Sequence, residues 1–62
     1  MRYYVREFVC GNWQTDAVVT ARPKAFARCS AILKRCQSIT PPYPFLPPKV
    51  CVRQNRRFVE IC

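Results

Sequence analysis

Side chains that could do acid–base chemistry are scarce in this chain of 62 residues. It has no histidine, and its three carboxylates, at Glu7, Asp16 and Glu60, are far apart in the sequence. Proton transfer needs a paired acid and base, and a nucleophilic cysteine needs a neighbour that accepts its proton. We therefore expect a protein that is not an enzyme and that holds no cofactor.

Five cysteines are the other reactive groups, and their spacing does not favour metal binding. They stand at positions 10, 29, 36, 51 and 62, with no Cys-x-x-Cys pair and no histidine to complete a zinc site. The odd number and the absence of a secretory signal favour reduced thiols. No stretch approaches the roughly 18 apolar residues of a membrane span. We expect a cytoplasmic protein with no metal site and no membrane partner.

Positive charge is the chemistry that the chain does offer. Eleven basic residues stand against three acids, for a net charge of +8, and eight of the eleven are arginines. The guanidinium group binds phosphate or carboxylate through two parallel hydrogen bonds. Aromatic residues lie among these arginines, as in surfaces on which bases stack: Tyr3, Tyr4, Phe8 and Phe58. This composition predicts an anionic partner, although a solvated surface that keeps a small protein soluble is the alternative.

The basic residues fall into two sets that we take as candidate partner-binding residues. At a helical period, Lys24, Arg28 and Arg35 lie within roughly 40° of one another and form a stripe. The second set, Arg53, Arg56 and Arg57, crowds a predicted hairpin tip. Whether the two sets share one surface is left open by the sequence.

The first set belongs to the segment with the clearest periodicity, residues 23–37, which predicts an amphipathic helix. Its apolar positions fall within an arc roughly 120° wide: Ala25, Phe26, Cys29, Ile32, Leu33 and Cys36. Thr20 is the predicted N-cap, and Pro23 would lie in the first turn, where its missing N–H costs nothing.

Aromatic and β-branched residues predict strands on both sides of this helix. Residues 2–9 and 13–20 form a predicted hairpin with its turn at Gly11-Asn12, and strict alternation would place Trp13, Thr15, Ala17 and Val19 on one face. An early helix from Asp16 is the alternative to the second strand. Residues 50–61 form another hairpin, turning at Asn55-Arg56 so that Val52 pairs with Val59.

The fold expected from these elements is α+β: a four-stranded, largely antiparallel sheet with one helix on a face, in the order β-β-α-β-β. Residues 1–62 make a single domain. Residues 39–48 hold five of the six prolines and form a predicted stiff connector.

The chain resembles small phage-encoded inhibitors of the anti-CRISPR type in its order of elements. Tyr4-Val-Arg-Glu-Phe opens a strand, Thr15-Asp-Ala-Val-Val-Thr-Ala leads into the helix, and Asn55-Arg-Arg-Phe-Val-Glu-Ile-Cys62 ends the chain. The resemblance implies a stoichiometric, non-enzymatic inhibitor that binds a nucleic-acid-handling complex and blocks its nucleic-acid path or its partner. Its charge of +8 departs from the acidic members that mimic DNA, so the partner would be an acidic protein surface, nucleic acid or both.

Two other functions stay open. The same arginines would serve an autonomous nucleic-acid-binding module that contacts phosphates. A disulfide-stabilised cationic peptide is the third hypothesis. A homodimer is compatible with this pattern, which does not select for one.

Overall fold

The protein folds as one four-stranded antiparallel sheet with a helix on one face. The structure is a computed structural model and describes residues 1–37 and 46–61. Its elements are β1 (Tyr3–Val9), β2 (Asn12–Val19), α1 (Arg22–Gln37), β3 (Lys49–Gln54) and β4 (Arg57–Glu60). The strand order across the sheet is β2-β1-β3-β4. The predicted α+β class and element order are confirmed, whereas most of the predicted connector, residues 39–48, lies outside the described residues.

The core lies between α1 and the sheet and centres on β1, which pairs with β2 on one side and β3 on the other. Its buried residues are Val5, Ala25, Ile32 and Val50. Tyr3 packs against them from the same face of β1 as Val5. Because β1 is flanked by both neighbours and covered by α1, Val5 has no exposed surface.

The first hairpin turns one residue earlier than predicted. Val9 pairs with Asn12, so the turn residues are Cys10 and Gly11, and Asn12 belongs to β2. Both turn residues have positive φ, 52° and 84°. Two-residue turns of this kind favour glycine in the second position, whereas the predicted turn had placed Gly11 first.

The second hairpin turns at Asn55-Arg56, as predicted, and Val52 pairs with Val59. This register places Val50 and Val52 on the buried face, and the Ile61 amide donates to the carbonyl of Val50 at 3.1 Å. The φ angles of Asn55 and Arg56 are 51° and 65°. Arg56 therefore holds a left-handed backbone conformation that side chains with a Cβ atom disfavour.

A β-bulge changes the facing of β2. Val5 pairs with Ala17 and Arg6 with Thr15, so Asp16 is an extra residue with no partner on β1. Beyond the bulge the alternation resumes, with Ala17 and Val19 packed against the core. The prediction that Trp13 and Thr15 share a face with Ala17 and Val19 was wrong, because a bulge inserts one residue and breaks the period of two. The alternative of an early helix at Asp16 is excluded by β2.

Helix α1 begins at Arg22, and the Ala25 amide donates to the carbonyl of Ala21 at 3.1 Å. Ala21, rather than the predicted Thr20, therefore holds the N-cap position, whereas Pro23 lies in the first turn as predicted. The apolar arc faces the sheet: Ala25 and Ile32 are buried and Phe26, Cys29 and Cys36 pack beside them, while Leu33 is half-buried. No helix in the described residues has the length and apolar character needed to cross a membrane.

Ile32 carries much of the helix–sheet contact, because its side chain is among the largest that are fully buried. We expect Ile32→Ala to lower the free energy of unfolding by about 2–5 kcal/mol, through lost burial and a cavity. Urea denaturation followed by circular dichroism measures the change. Leu33→Ala is the matched control and should cost less, and Ile32→Val, at about 0.5–1.5 kcal/mol, serves if the alanine variant does not fold. Equal losses at Ile32 and Leu33 would contradict this core.

Substitution of Arg56 tests whether the second turn is strained. We expect Arg56→Gly to raise the free energy of unfolding by about 1 kcal/mol, because a left-handed backbone costs a residue with a Cβ atom roughly 1–2 kcal/mol, and glycine's freedom in the unfolded chain offsets part of this gain. Arg57→Gly removes the same charge from β4 and should lower stability by about 0.5–1 kcal/mol. A loss in both variants would contradict the expectation for Arg56.

Candidate functional site

The face of the sheet turned away from α1, called the open face below, combines aromatic and basic side chains. Alternation along the strands and the bulge in β2 determine which residues point there. They are Tyr4, Arg6 and Phe8 of β1, Trp13, Thr15 and Val18 of β2, Lys49, Cys51 and Arg53 of β3, and Phe58 and Glu60 of β4. One carboxylate, that of Glu60, stands on this face against three cations.

Two aromatic pairs cross the open face. Phe8 and Trp13 meet edge to face, with ring centroids 5.4 Å apart and an interplanar angle of 68°. Tyr4 and Phe58 meet in the same manner at 5.3 Å and 74°. All four rings are half-buried, so they form part of the protein surface rather than of the core. Large aromatic side chains left partly exposed in this way commonly mark binding surfaces.

Cations lie over the faces of two of these rings. The guanidinium carbon of Arg6 is 3.9 Å from the centroid of Phe58, and that of Arg53 is 4.6 Å from the same centroid. Lys49 Nζ is 4.2 Å from the centroid of Trp13. These distances are within the range of cation–π attraction.

Arg6 is the best-anchored cation of the open face. Its Nη1 donates to Thr15 Oγ1 at 2.6 Å, and its Nη2 donates to the carbonyl oxygen of Trp13 at 3.4 Å. Because the bulge leaves Asp16 without a partner on β1, Thr15 stands directly opposite Arg6. Arg6 thus holds a fixed position between the two aromatic pairs.

A cavity of about 200 Å³ opens on this face. It is lined by Arg6, Trp13, Lys49, Cys51, Phe58 and Glu60. Lys49 Nζ and Glu60 Oε1 are 3.8 Å apart at its rim, and the buried Cys51 contributes to its wall. The lining therefore combines two aromatic rings, two cations, one carboxylate and one thiol.

On the other side of the molecule, the predicted helix stripe is partly engaged with the sheet. Arg28 Nε donates to Asp16 Oδ2 at 2.8 Å, and this bond and the attraction between the charges raise the pKa of Arg28 above its ordinary value. Arg35 Nη2 is 3.7 Å from Glu7 Oε1. Two of the three stripe residues therefore join α1 to β2 and β1, which reduces their positive field toward a partner.

The net charge is carried by the basic residues outside the three ion pairs. Pairing uses Arg28, Arg35 and Lys49 of the eleven basic residues, which leaves eight, equal to the net charge of +8. Five of these eight lie at or near one end of the sheet, where β1 begins, β2 ends and β3 turns into β4. We call them the basic end: Arg2, Arg22, Arg53, Arg56 and Arg57.

The structure separates the two predicted sets of basic residues. Arg53 lies on the open face and at the basic end, together with Arg56 and Arg57, whereas Arg28 and Arg35 lie with α1 across the sheet. Lys24, in the first turn of α1, is the stripe residue nearest the basic end. Arg28 and Arg35 are therefore on the side of the sheet opposite to Arg53.

Sequence reasoning did not select Arg6, Trp13 and Lys49, which are central to the open face. A signal for Arg6 was present, because alternation placed it beside Tyr4 and Phe8 on one side of β1. Trp13 was assigned to the wrong face because the bulge has no residue signature in the sequence. The pairing of β1 with β3, which sets Lys49 opposite Arg6, links distant segments.

Within residues 1–37 and 46–61, no three cysteine or carboxylate side chains are grouped so that they could hold a metal ion. No disulfide joins any two of the described cysteines. Comparisons of the chain with protein-family models, curated proteins and solved structures found no match. The resemblance to anti-CRISPR-type inhibitors stays a prediction.

The contact between Arg6 and Phe58 can be measured by a double-mutant cycle with Arg6→Met and Phe58→Leu. We expect a coupling energy of about 0.5–1 kcal/mol in the free energy of unfolding, the value of a cation–π contact near the surface. The pair Arg22 and Phe26, whose guanidinium carbon and ring centroid are 5.4 Å apart, is the control and should couple more weakly. Additive effects of the Arg6 and Phe58 substitutions would contradict this geometry.

Proposed function

We propose that this protein binds single-stranded nucleic acid on the open face of its sheet, without catalysis. The observation that carries the proposal is the interleaving of half-buried aromatic rings with cations on a face that the helix leaves uncovered. Proteins that bind single strands combine aromatic side chains, on which bases stack, with a positive surface that follows the phosphates. Both ingredients are present here on one face.

The lysine now over Trp13 does not prevent stacking on that ring. A surface cation–π contact is worth about 0.5–1 kcal/mol, whereas base–aromatic stacking is worth about 1–3 kcal/mol per base. A base is therefore expected to displace Lys49 from the face of Trp13. The displaced ammonium then lies beside the bound base, where it is able to contact the adjoining phosphate.

Duplex DNA fits the molecule less well than a single strand. Neighbouring strands are about 4.8 Å apart, so a four-stranded sheet is about 14 Å wide between its outer strands, and the major groove is about 12 Å wide. Helix α1 would fit that groove, but two of its cations are paired with Asp16 and Glu7. The open face suits unpaired bases, whose flat surfaces are exposed.

The basic end extends the positive surface beyond the aromatic pairs. Arg53 belongs to both, and the neighbouring turn residue Arg56 keeps its charge in a backbone conformation that favours glycine. A single strand of nucleic acid lying on the open face would pass Lys49 and Arg6 before it reaches Arg53 and Arg2. Four such phosphate contacts correspond to a slope of about −3 for the logarithm of affinity against the logarithm of salt concentration.

A second function is the inhibitor to which the sequence shows resemblance. In this proposal the basic end binds an acidic surface on a nucleic-acid-handling complex and blocks its nucleic-acid path. The observation that favours it is the concentration of five arginines at one end of the sheet, with Arg56 in a strained turn. Capture experiments in a nuclease-treated extract should then return one stoichiometric complex, lost in Arg53→Glu/Arg56→Glu/Arg57→Glu. Recovery of nucleic acid alone from untreated extract would contradict this second function.

The single-strand proposal is tested by titrating the protein with a fluorescent ten-nucleotide oligouridine at about 100 mM salt. We expect saturable binding with a salt slope of about −3. Arg2→Glu/Arg53→Glu, at the basic end, should weaken binding by at least tenfold and lower the magnitude of the slope.

Lys24→Glu/Lys34→Glu is the matched control, since it makes the same change of charge at exposed positions of α1. It should weaken binding much less. Equal losses in the two double variants would mean that net charge alone attracts the strand, and an absence of binding would overturn the proposal. Circular dichroism checks that each variant is folded.

A further inference from the structure

We infer that the cavity on the open face is a base-recognition pocket that accepts guanine in preference to the other bases. The inference rests on the proposed function and deepens it, because it assigns base selectivity to one position of a bound strand. Its basis is the lining of the cavity: two aromatic rings, two cations and one carboxylate.

Side chains from the two outer strands of the sheet form walls of the pocket. Trp13 belongs to β2 and Phe58 to β4, and both rings line the same cavity of about 200 Å³. The buried Cys51, on β3 between them, contributes to its wall. A planar base entering here stacks on Trp13 once Lys49 has moved aside, while Arg6 stays over the face of Phe58. Stacking on Trp13 does not depend on which base enters.

The polar groups of the pocket supply the selectivity. A carboxylate accepts hydrogen bonds and donates none, whereas Arg and Lys only donate. Guanine presents two adjacent donors, N1–H and N2–H, on its Watson–Crick edge. Its acceptor O6 lies next to N1–H, and its acceptor N7 lies beyond O6. Adenine and cytosine place a ring-nitrogen acceptor beside their amino group, and uracil places its N3–H between two carbonyl oxygens. A carboxylate opposite any of these three bases faces an acceptor, so guanine matches Glu60 best.

The positions of the three polar residues are fixed by strand pairing. Arg6 on β1 stands opposite Lys49 on β3, and Glu60 on β4 stands opposite Cys51, the second residue after Lys49. Arg6 is also held by Thr15 and by the carbonyl of Trp13. Donors for O6 and N7 and an acceptor for N1–H and N2–H therefore line one cavity on paired strands.

The ion pair at the rim does not block a base. Lys49 Nζ and Glu60 Oε1 are 3.8 Å apart, and their side chains are 34% and 48% exposed. A contact this long between partly exposed charges is weak. Entry of guanine exchanges it for two hydrogen bonds to the carboxylate, while Lys49 turns toward O6 or the adjoining phosphate.

Trp13 gives a direct readout, because it is the single tryptophan of the chain and it lines the pocket. Its fluorescence is followed during titration with ten-nucleotide oligouridines that carry one central guanine, adenine or cytosine, and with the all-uridine strand. We expect the guanine strand to bind at least fivefold more tightly than the others and to quench Trp13 most strongly. Equal affinity for all four strands would overturn the inference and leave the proposed function standing. No binding of any strand would overturn both.

One change in the nucleic acid and one in the protein test the role of the Glu60 carboxylate. Replacing guanine by inosine removes the N2 amino group and should lower affinity at least threefold. Glu60→Gln should abolish the preference for guanine over inosine and adenine, and it should raise affinity for the all-uridine strand because it removes a negative charge beside Lys49. A guanine preference that survives in Glu60→Gln, or an inosine strand that binds as tightly as the guanine strand, would overturn the assignment to Glu60.

Titration with free guanosine monophosphate tests whether the cavity binds a single nucleotide as tightly as it binds a nucleic-acid strand. It should quench Trp13 with an affinity at least tenfold weaker than that of the guanine strand, because it lacks the neighbouring phosphates that contact Arg53 and Arg2. Equal affinities would contradict a site built for a strand and would identify the cavity as a mononucleotide pocket.

Discussion

The contact between the apolar arc of α1 and one face of the sheet is the interaction on which the rest of the structure depends. Four fully buried residues form its centre, with Val5 and Val50 from the sheet and Ala25 and Ile32 from the helix. A single helix covers a single face, and within residues 1–37 and 46–61 no second layer covers the other face of the sheet. The aromatic residues there are stabilised by contacts with one another and with Arg6, Lys49 and Arg53. The open face is thus a direct result of the small size of the protein.

The few acidic residues divide the positive charge unevenly between the two sides. Asp16 and Glu7 are paired with arginines of α1, so they hold the helix on the sheet and reduce the field on that side. Glu60 is the carboxylate of the open face, where it stands beside Lys49. The positive field of the cations at the ends of β1, β3 and β4 is not reduced in this way. The electrostatic asymmetry of the protein therefore arises from the placement of three carboxylates among eleven basic residues.

Local patterns in the sequence were sufficient to predict the elements and one hairpin register. The 3.6-residue period located α1, and the match of Val52 with Val59 fixed the turn at Asn55-Arg56, because a shift of one residue would have exposed the aliphatic face. The first turn and the N-cap were each misplaced by one residue, since several residues there satisfy the same preferences. These are the errors that local sequence preferences leave when the competing positions differ by a fraction of a kilocalorie.

The candidate site was predicted less well, because it depends on pairings between distant segments. The sequence identified Arg53, Arg56 and Arg57, which are neighbours along the chain. It did not bring Lys49 to Arg6, since the partner of an inner strand is decided by the whole sheet. Nor did it show that Arg28 and Arg35 face acids, which follows from the position of α1 across β1 and β2. Charge alone indicated an anionic partner, and the fold was needed to choose a face.

The bulge at Asp16 bears on how this strand tolerates changes of length. With Asp16 removed, Thr15 would still face Arg6, Ala17 would still face Val5, and the side chains of β2 would alternate without interruption. Asp16 is thus equivalent to a one-residue insertion into a regular strand, and its carboxylate is the group that receives Arg28. A deletion here, unlike one elsewhere in β2, would leave the inward and outward positions of every other residue in place. A change at Asp16 would therefore alter the contact between helix and sheet without altering which residues lie on the open face.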